Sequence, residues 1–315
     1  MTTPTTDHLI ARAPREDADF MRVRDFLMAA FRHEYWDHNW EIRRWEGWRF
    51  YHFADEEANG EHPWTQRVRL WETADGTLIG VAHPEGDGIS FHDVRPGWQT
   101  PELEDAMIAW SEDHLAITLE DGRRRLYYDV IDYDAVRQEA LLRRGYERLD
   151  NYGYNRRRSL DVPIPDVEIP EGYTIRGQRP NDDEDRARLV KALDAVFPRA
   201  QTTTVNYRVF EALSPSYRCD LHLMAVAPDG NCAAFCGITW DPVNRQGIFE
   251  PVGTVDEYRQ KRLGQALMAE GLRRLKALGA THAIVGTGDM VPANRLYESL
   301  GFTEYHIDHL WQKVW

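Results

Sequence analysis

Between Leu263 and Leu278 apolar residues return every three or four positions. Leu263, Leu267, Met268, Leu272, Leu275 and Leu278 fall on one broad face, with Arg273 and Lys276 off it. The spacing predicts an amphipathic helix packed on a sheet. Gly279 ends it, because glycine suits the left-handed residue after a helix C-terminus. The segments on either side, "RQGIFEPVGTV" and "THAIVG", read as strands. A strand, helix, strand order needs a crossover and so predicts a parallel strand pair.

The pattern occurs twice along the chain. "HLIARAPREDADFMRVRDFLMAAF" and "YTIRGQRPNDDEDRARLVKALDAVF" are each a short strand, a polar turn and a helix. "RLWETADGTLIGVA" and "LMAVAPDGNCAAFCGI" are each a hairpin about a glycine-containing turn. Gly145-Tyr146 and Gly301-Phe302, 156 residues apart, each stop a helix before a final strand. Each half thus reads as strand, helix, hairpin, strand, helix, strand, helix, strand. The expected fold class is a mixed α/β domain built twice, over 1–160 and 173–315. Residues 161–172 form a linker: "SLDVPIPDVEIPEG" holds three prolines and no helical period.

Composition narrows the function classes. A chain of 315 residues matches about two domains, and 42% hydrophobic residues suffice for packed cores. A net charge of −14 disfavours a nucleic-acid partner, whose phosphates need a basic face. No apolar run reaches the roughly 20 residues of a membrane span, and the start becomes charged without an apolar signal segment, so the expected location is cytoplasmic. Of the three cysteines, Cys232 and Cys236 share one strand, about 13 Å apart and too far for a disulfide. Reduced, buried thiols are expected at Cys219, Cys232 and Cys236. His33 and His38 in "HEYWDH" have no recognised metal-ligand spacing, and no metal is expected.

Against this acidic background "EYRQKRLG" stands out: Arg259, Lys261 and Arg262 precede Gly264 at the mouth of the amphipathic helix. A helix start offers free N–H groups and partial positive charge, which fit an anion such as a pyrophosphate. A solvated helix start with ordinary surface bases is the other reading.

"EPVGTVDEYRQKRLGQALM" resembles motif A of the GCN5-related N-acetyltransferases, the GNAT superfamily, with Arg259-Gln260-Lys261-Arg262-Leu263-Gly264 on the pattern Arg/Gln-x-x-Gly-x-Gly/Ala. "ANRLYESLGF" resembles motif B of the same family. The resemblance is specific over 173–315 and covers 8–160 as a faded copy. It implies two GNAT-type domains, each a central mixed sheet flanked by helices, and a strand bulge opening a gap for the pantetheine arm of acetyl-CoA, the acyl donor. Val252, Gly253 and Thr254 would face the pantetheine. Gln260, Lys261, Arg262, Leu263, Gly264 and Gln265 would line the pyrophosphate, and Asn294 would touch the pantetheine or thioester end. One family glycine is Arg262 here, so its amide is available if Arg262 takes helical angles.

Glu250 would act as base and Tyr297 as the acid that protonates the leaving thiolate, with direct transfer to an amine and no role for the cysteines. The implied activity is acetylation of a small-molecule primary amine. An idle acyl-CoA-binding protein and a lysine or N-terminal acetyltransferase are the alternatives; the sequence leaves the oligomeric state open. In the first copy Glu102, Glu104 and Asp105 align with Arg262, Gly264 and Gln265, Pro101 removes an N–H, and Leu141 replaces Tyr297. That copy is expected to have lost CoA binding. Trp36, Trp40, Trp45 and Trp48, in the aromatic-rich segment 31–53, either wall a pocket or pack as core.

Overall fold

The structure, a computed structural model, describes residues 8–55, 59–60 and 63–315. The first seven positions, within the stretch read above as lacking a signal segment, lie outside the described residues. Among the described residues no helix is long and apolar enough to cross a membrane.

The first half of the chain forms β1 (Ile10–Arg12), α1 (Asp17–Ala30), α2 (Ile42–Gly47), β2 (Arg69–Glu72), β3 (Leu78–Pro84), β4 (Ile89–Val94), α3 (Pro101–His114), β5 (Ile117–Thr118), β6 (Arg124–Ile131), α4 (Ala135–Arg143) and β7 (Glu147–Ser159). The second forms β8 (Thr174–Gly177), α5 (Asp183–Val196), α6 (Thr204–Leu213), β9 (Leu223–Val226), β10 (Cys232–Asp241), β11 (Gln246–Thr254), α7 (Leu263–Ala277), β12 (His282–Gly288), α8 (Val291–Ser299) and β13 (Glu304–Val314). Residues 163–170 carry no regular element.

Contacts divide the chain into two compact units, and the division is not contiguous in sequence. One comprises Met1–Ile42, His62–Tyr154 and His306–Trp315; the other comprises Arg43–Glu61 and Asn155–Tyr305. Consecutive blocks of sequence do not contain this exchange. Each unit is a mixed sheet flanked by helices. In the first, β1 to β4 pair antiparallel in succession, β4 pairs parallel with β6, and β6 pairs antiparallel with β13 from Asp308↔Ile131 to Val314↔Arg125. In the second, β8 to β11 pair antiparallel in succession, and β11 pairs parallel with β12.

The repeat extends to single hydrogen bonds. Gly145 and Gly301 have φ of 83° and 86°, and the next residue reaches back in both copies: Tyr146 N donates to Leu141 O and Phe302 N to Tyr297 O, each at 3.0 Å. This is a Schellman-type helix end, which glycine adopts without a Cβ penalty. A strand arginine holds a first-turn helix aspartate in both units. Arg12 Nη1 donates to Asp19 Oδ2 and Arg176 Nη1 to Asp185 Oδ2, each at 2.7 Å. The same oxygens accept from Arg15 N and Arg179 N at 2.8 Å. The arginine beside Asp19 holds its carboxyl well below the usual range.

The core of the second unit is the predicted face of α7. Leu263, Leu267, Met268, Leu272 and Leu275 are buried with Cys236, Ile238, Phe249 and Phe302. Leu278 lies beyond the buried part of that face. It caps the helix end and is 36% exposed. The four tryptophans are buried, the packing alternative rather than a pocket wall. Trp36 stacks on His306 at 4.0 Å and Trp40 packs on His83 and Phe91 in the first unit, while Trp45 and Trp48 pack together in the second. Cys219 is only half-buried, unlike Cys232 and Cys236.

Candidate active site

The site is built where β11 changes direction. On β10, Cys236 pairs with Val252 and Ile238 with Phe249, so Gly237 alone stands opposite Glu250 and Pro251. Two residues against one is a β-bulge, which bends the strand that carries it. The Glu250–Pro251 peptide is cis. A Cβ on Gly237 would stand 2.6 Å from Glu250 O and 2.9 Å from Pro251 Cδ, so only glycine lets the bulge close. Gly237→Ala is expected to cost about 1–3 kcal/mol through forced backbone movement. An unchanged melting temperature would show that the strand accommodates the methyl.

The parallel ladder between β11 and β12 covers Gln246↔His282, Gly247↔Ala283 and Ile248↔Ile284. Beyond it β11 runs on to Thr254 and β12 to Gly288 without pairing to each other. The two strands therefore part at their C-terminal ends, the side where open α/β sheets take ligands. Val252, Gly253 and Thr254 lie on the diverging part of β11 and pair with β10 on its other edge.

Next comes the basic loop. Gln260 and Arg262 are left-handed, at φ 62° and 59°, and Lys261 between them is not. The sequence reading required helical angles at Arg262. The structure instead gives it the backbone that the family glycine adopts freely, at about 1–2 kcal/mol for a residue with a Cβ. Alternating backbone hand turns successive N–H groups toward one concave point. Helix α7 starts at Leu263 with no side-chain cap, so its first N–H groups are not taken by a capping side chain. Gly264 has room for a methyl: a Cβ would make ordinary contacts at 3.4 Å to Thr254 Oγ1 and 3.5 Å to Leu296 Cδ2. Around it, Arg262 Nε donates to Gln265 Oε1 at 3.0 Å and Gln265 Nε2 to Ser299 Oγ at 3.1 Å. Lys261 Nζ donates to Tyr173 OH at 2.8 Å, and Arg259 pairs with Asp256.

Helix α8 brings Tyr297 toward Glu250. Tyr297 is 6% exposed, and its hydroxyl makes no hydrogen bond among the described residues. Burial pushes its pKa up, with further increments from Cys236 and the charge of Glu250, so the phenol keeps its proton at neutral pH. The half-buried Glu250 carboxylate has no ion-pair or hydrogen-bond partner among the described residues. Asn294 is placed differently. Its Oδ1 accepts from Arg156 Nε at 2.8 Å, and its Nδ2 donates to Gly288 O and Met290 O at 3.0 and 3.1 Å. Its amide is engaged in joining β12 to α8. Burial raises the Cys232 thiol to about 12 and moves Cys236 in the same direction, which leaves both poor nucleophiles.

The first unit has the same elements with the helix start closed. Helix α3 begins at Pro101, aligned with Lys261, and the Thr100 hydroxyl accepts from Leu103 N at 3.3 Å. Glu104, aligned with Gly264, is fully buried. It accepts from Gln99 Nε2 at 2.8 Å, Arg137 Nη2 at 3.1 Å and Arg137 Nε at 3.2 Å, and it bonds His92 Nδ1 at 3.1 Å. An internal carboxylate thus sits where Gly264 leaves space. The sequence aligns this acid with Gly264, and nothing local marks it as buried.

Residues 187–302 match the family model described as "Acetyltransferase (GNAT) family". The chain is 23% identical to the mycothiol acetyltransferase of Pseudarthrobacter chlorophenolicus over 76% of this chain and 74% of that one. It is 31% identical to the mycothiol acetyltransferase of Thermomonospora curvata over 50% of this chain and 53% of that one, about half the length of that relative. Among solved structures, a GCN5-related N-acetyltransferase from Sphaerobacter thermophilus superposes with a TM-score of 0.65 at 21% identity, covering 99% of this chain and 97% of that one. A tandem GNAT protein from the clavulanic acid biosynthesis pathway gives 0.66 at 17% identity, covering 98% of each. Motif and fold agree: residues 187–302 form a domain of the GNAT acetyltransferase family, in a chain that builds the fold of its tandem GNAT neighbours twice.

Proposed function

We propose that the second unit transfers the acetyl group of acetyl-CoA directly to the primary amine of a small molecule, and that the first unit binds no CoA. One observation carries the reading: the uncapped start of α7 follows the strand β11 that parts from β12, with Glu250 on the β11 bulge and Tyr297 near enough to feel its charge, whereas α3 is capped and Glu104 is buried at its start. The N–H groups of residues 260–265 would hold the pyrophosphate, with Lys261 and Arg262 adding positive charge. Val252, Gly253 and Thr254 would line the pantetheine.

Most alkylamines are protonated at neutral pH, so the acceptor must first lose a proton. Glu250 takes it, directly or through water. The amine nitrogen attacks the thioester carbonyl, forming the C–N bond. The tetrahedral adduct loses its second N proton to solvent as the C–S bond breaks, and Tyr297 protonates the departing thiolate. The phenol then regains a proton from solvent, leaving an N-acetyl amine and the free thiol of CoA.

The test is acceptor-dependent release of thiol from acetyl-CoA across an amine panel, alongside calorimetric CoA binding. Gly264→Ala should bind CoA much as the parent does, because the methyl fits. Gly264→Glu should weaken binding by about 100-fold or more, since an uncompensated carboxylate would face the pyrophosphate. Its side chain would lack the arginine that holds Glu104, as Ala293 stands where the first copy has Arg137. Parental CoA affinity in Gly264→Glu would remove the pyrophosphate from the start of α7.

A further inference from the structure

Arg43 is the feature of the second unit that acetyl transfer does not use. It comes from the segment Arg43–Glu61, which belongs to the same compact unit as the site although more than two hundred positions separate Arg43 from Glu250 in sequence. Its Nε donates to the backbone oxygen of Glu250 at 3.4 Å, and its guanidinium lies 4.8 Å from the centre of the Phe210 ring. Its charge is felt by the buried groups nearby. Burial and Arg43 together lower His222 to about 3, and Arg43 opposes the upward shift that burial gives Tyr51.

Two details show a guanidinium held in place with its charge unused. A Cβ on Gly47 would stand 2.0 Å from Arg43 Nη1, so the glycine one turn later clears the space the guanidinium occupies. The acid best spaced to pair with it on α2, Glu46, faces another way. Glu46 accepts from Ser214 Oγ, from Ser216 N at 3.0 Å and from Ser216 Oγ at 2.7 Å. Among the described residues Arg43 forms no ion pair. The Glu250 carboxylate is unpaired as well, and Arg43 bonds the main chain of that residue, not its side chain.

A carboxylate and a guanidinium at one strand bulge, neither in an ion pair among the described residues, complement a ligand of the opposite polarity: an amine at Glu250 and an oxyanion at Arg43. We infer that the acceptor carries an anionic group, carboxylate or phosphate, close to its primary amine, and that Arg43 binds that group. A guanidinium suits both anions, because its planar fork matches two oxygens at once. This rests on the acetyltransferase reading and specifies its acceptor. Arg43 acts here as a specificity residue, so its effect belongs in KM for the acceptor.

The experiment uses the full chain, acetyl-CoA and matched acceptors: glycine with glycinamide for the carboxylate, phosphoethanolamine with ethanolamine and glucosamine 6-phosphate with glucosamine for the phosphate. The anionic member of at least one kind of pair should be favoured by about tenfold or more in kcat/KM, mostly through KM. The kind of pair that responds identifies the anion. In Arg43→Ala the two members should converge. Gly47→Ala keeps the charge but puts a methyl on Nη1, and it should move the preference the same way. Calorimetric CoA binding verifies that each variant is folded. Thiol release that favours neutral amines, or a preference that survives Arg43→Ala, overturns the anionic acceptor and leaves the acetyltransferase standing. CoA binding with no thiol release on any amine overturns both.

Discussion

Tyr297→Phe should lower turnover about 100-fold or more, because a positioned general acid contributes on that order or above. CoA affinity should stay within about twofold, since among the described residues the hydroxyl makes no hydrogen bond whose loss would disturb the site. The ring is buried against Phe302 and fits its place without the oxygen. Steady-state kinetics beside calorimetry separates the two effects. Parental turnover would mean that the thiolate takes its proton from solvent and that Tyr297 is only a core residue. Burial raises the phenol further above the neutral range, where an ordinary tyrosine already carries its proton.

In the first unit, Glu104→Ala should destabilise the protein by about 3–5 kcal/mol, the usual result of removing one member of a buried pair. The loss leaves Arg137, also buried, with Asp134 Oδ2 at 3.6 Å as its remaining acid contact and strips a partner from His92. Thermal or denaturant unfolding followed by tryptophan fluorescence reads it. A change under about 1 kcal/mol would show that the network relaxes around the gap. Acid should act in the same direction. Arg137 and the His92 bond hold Glu104 well below the ordinary carboxylate range against its own burial. A depressed carboxyl contributes stability above its unfolded pKa, and that contribution is lost as pH falls toward the folded value. Burial likewise lowers His92, so its neutral form is favoured in the fold and stability declines as pH drops below the ordinary histidine value. The wild type should therefore weaken progressively from neutral pH downward, and Glu104→Gln should flatten the part of the curve below the ordinary glutamate pKa.

What the sequence discloses is what its neighbours in sequence decide. The α7 stripe, Gly279, and the glycine ends at Gly145 and Gly301 depend on residues within a few positions, and they appear where the pattern puts them. The gap between β11 and β12 was legible only through the family resemblance, since the bulge depends on Gly237 in another strand. Helix α6 was missed although its start carries a signal: Thr203 and Asn206 form a reciprocal capping box. The shared arginine–aspartate pairs, Arg12 with Asp19 and Arg176 with Asp185, could have been found by comparing the two copies position by position. Glu104 and Arg43 could not, because burial of the one and placement of the other are set by distant segments. The bonds of the Asn294 amide are not legible either, because helical spacing gives the face of a side chain and says nothing of an arginine reaching it from β7.

The exchanged segments bear on how such a chain can change over generations. Arg43–Glu61 lie in the first half of the sequence yet belong to the second compact unit, and His306–Trp315, at the end of the second half, belong to the first. A deletion of the first half would also remove Arg43 and part of the second unit's packing. A stop codon before residue 306 would strip β6 of β13, one of its partner strands. The two copies are thus not separable by a single cut, because each unit needs a segment from the other half of the sequence.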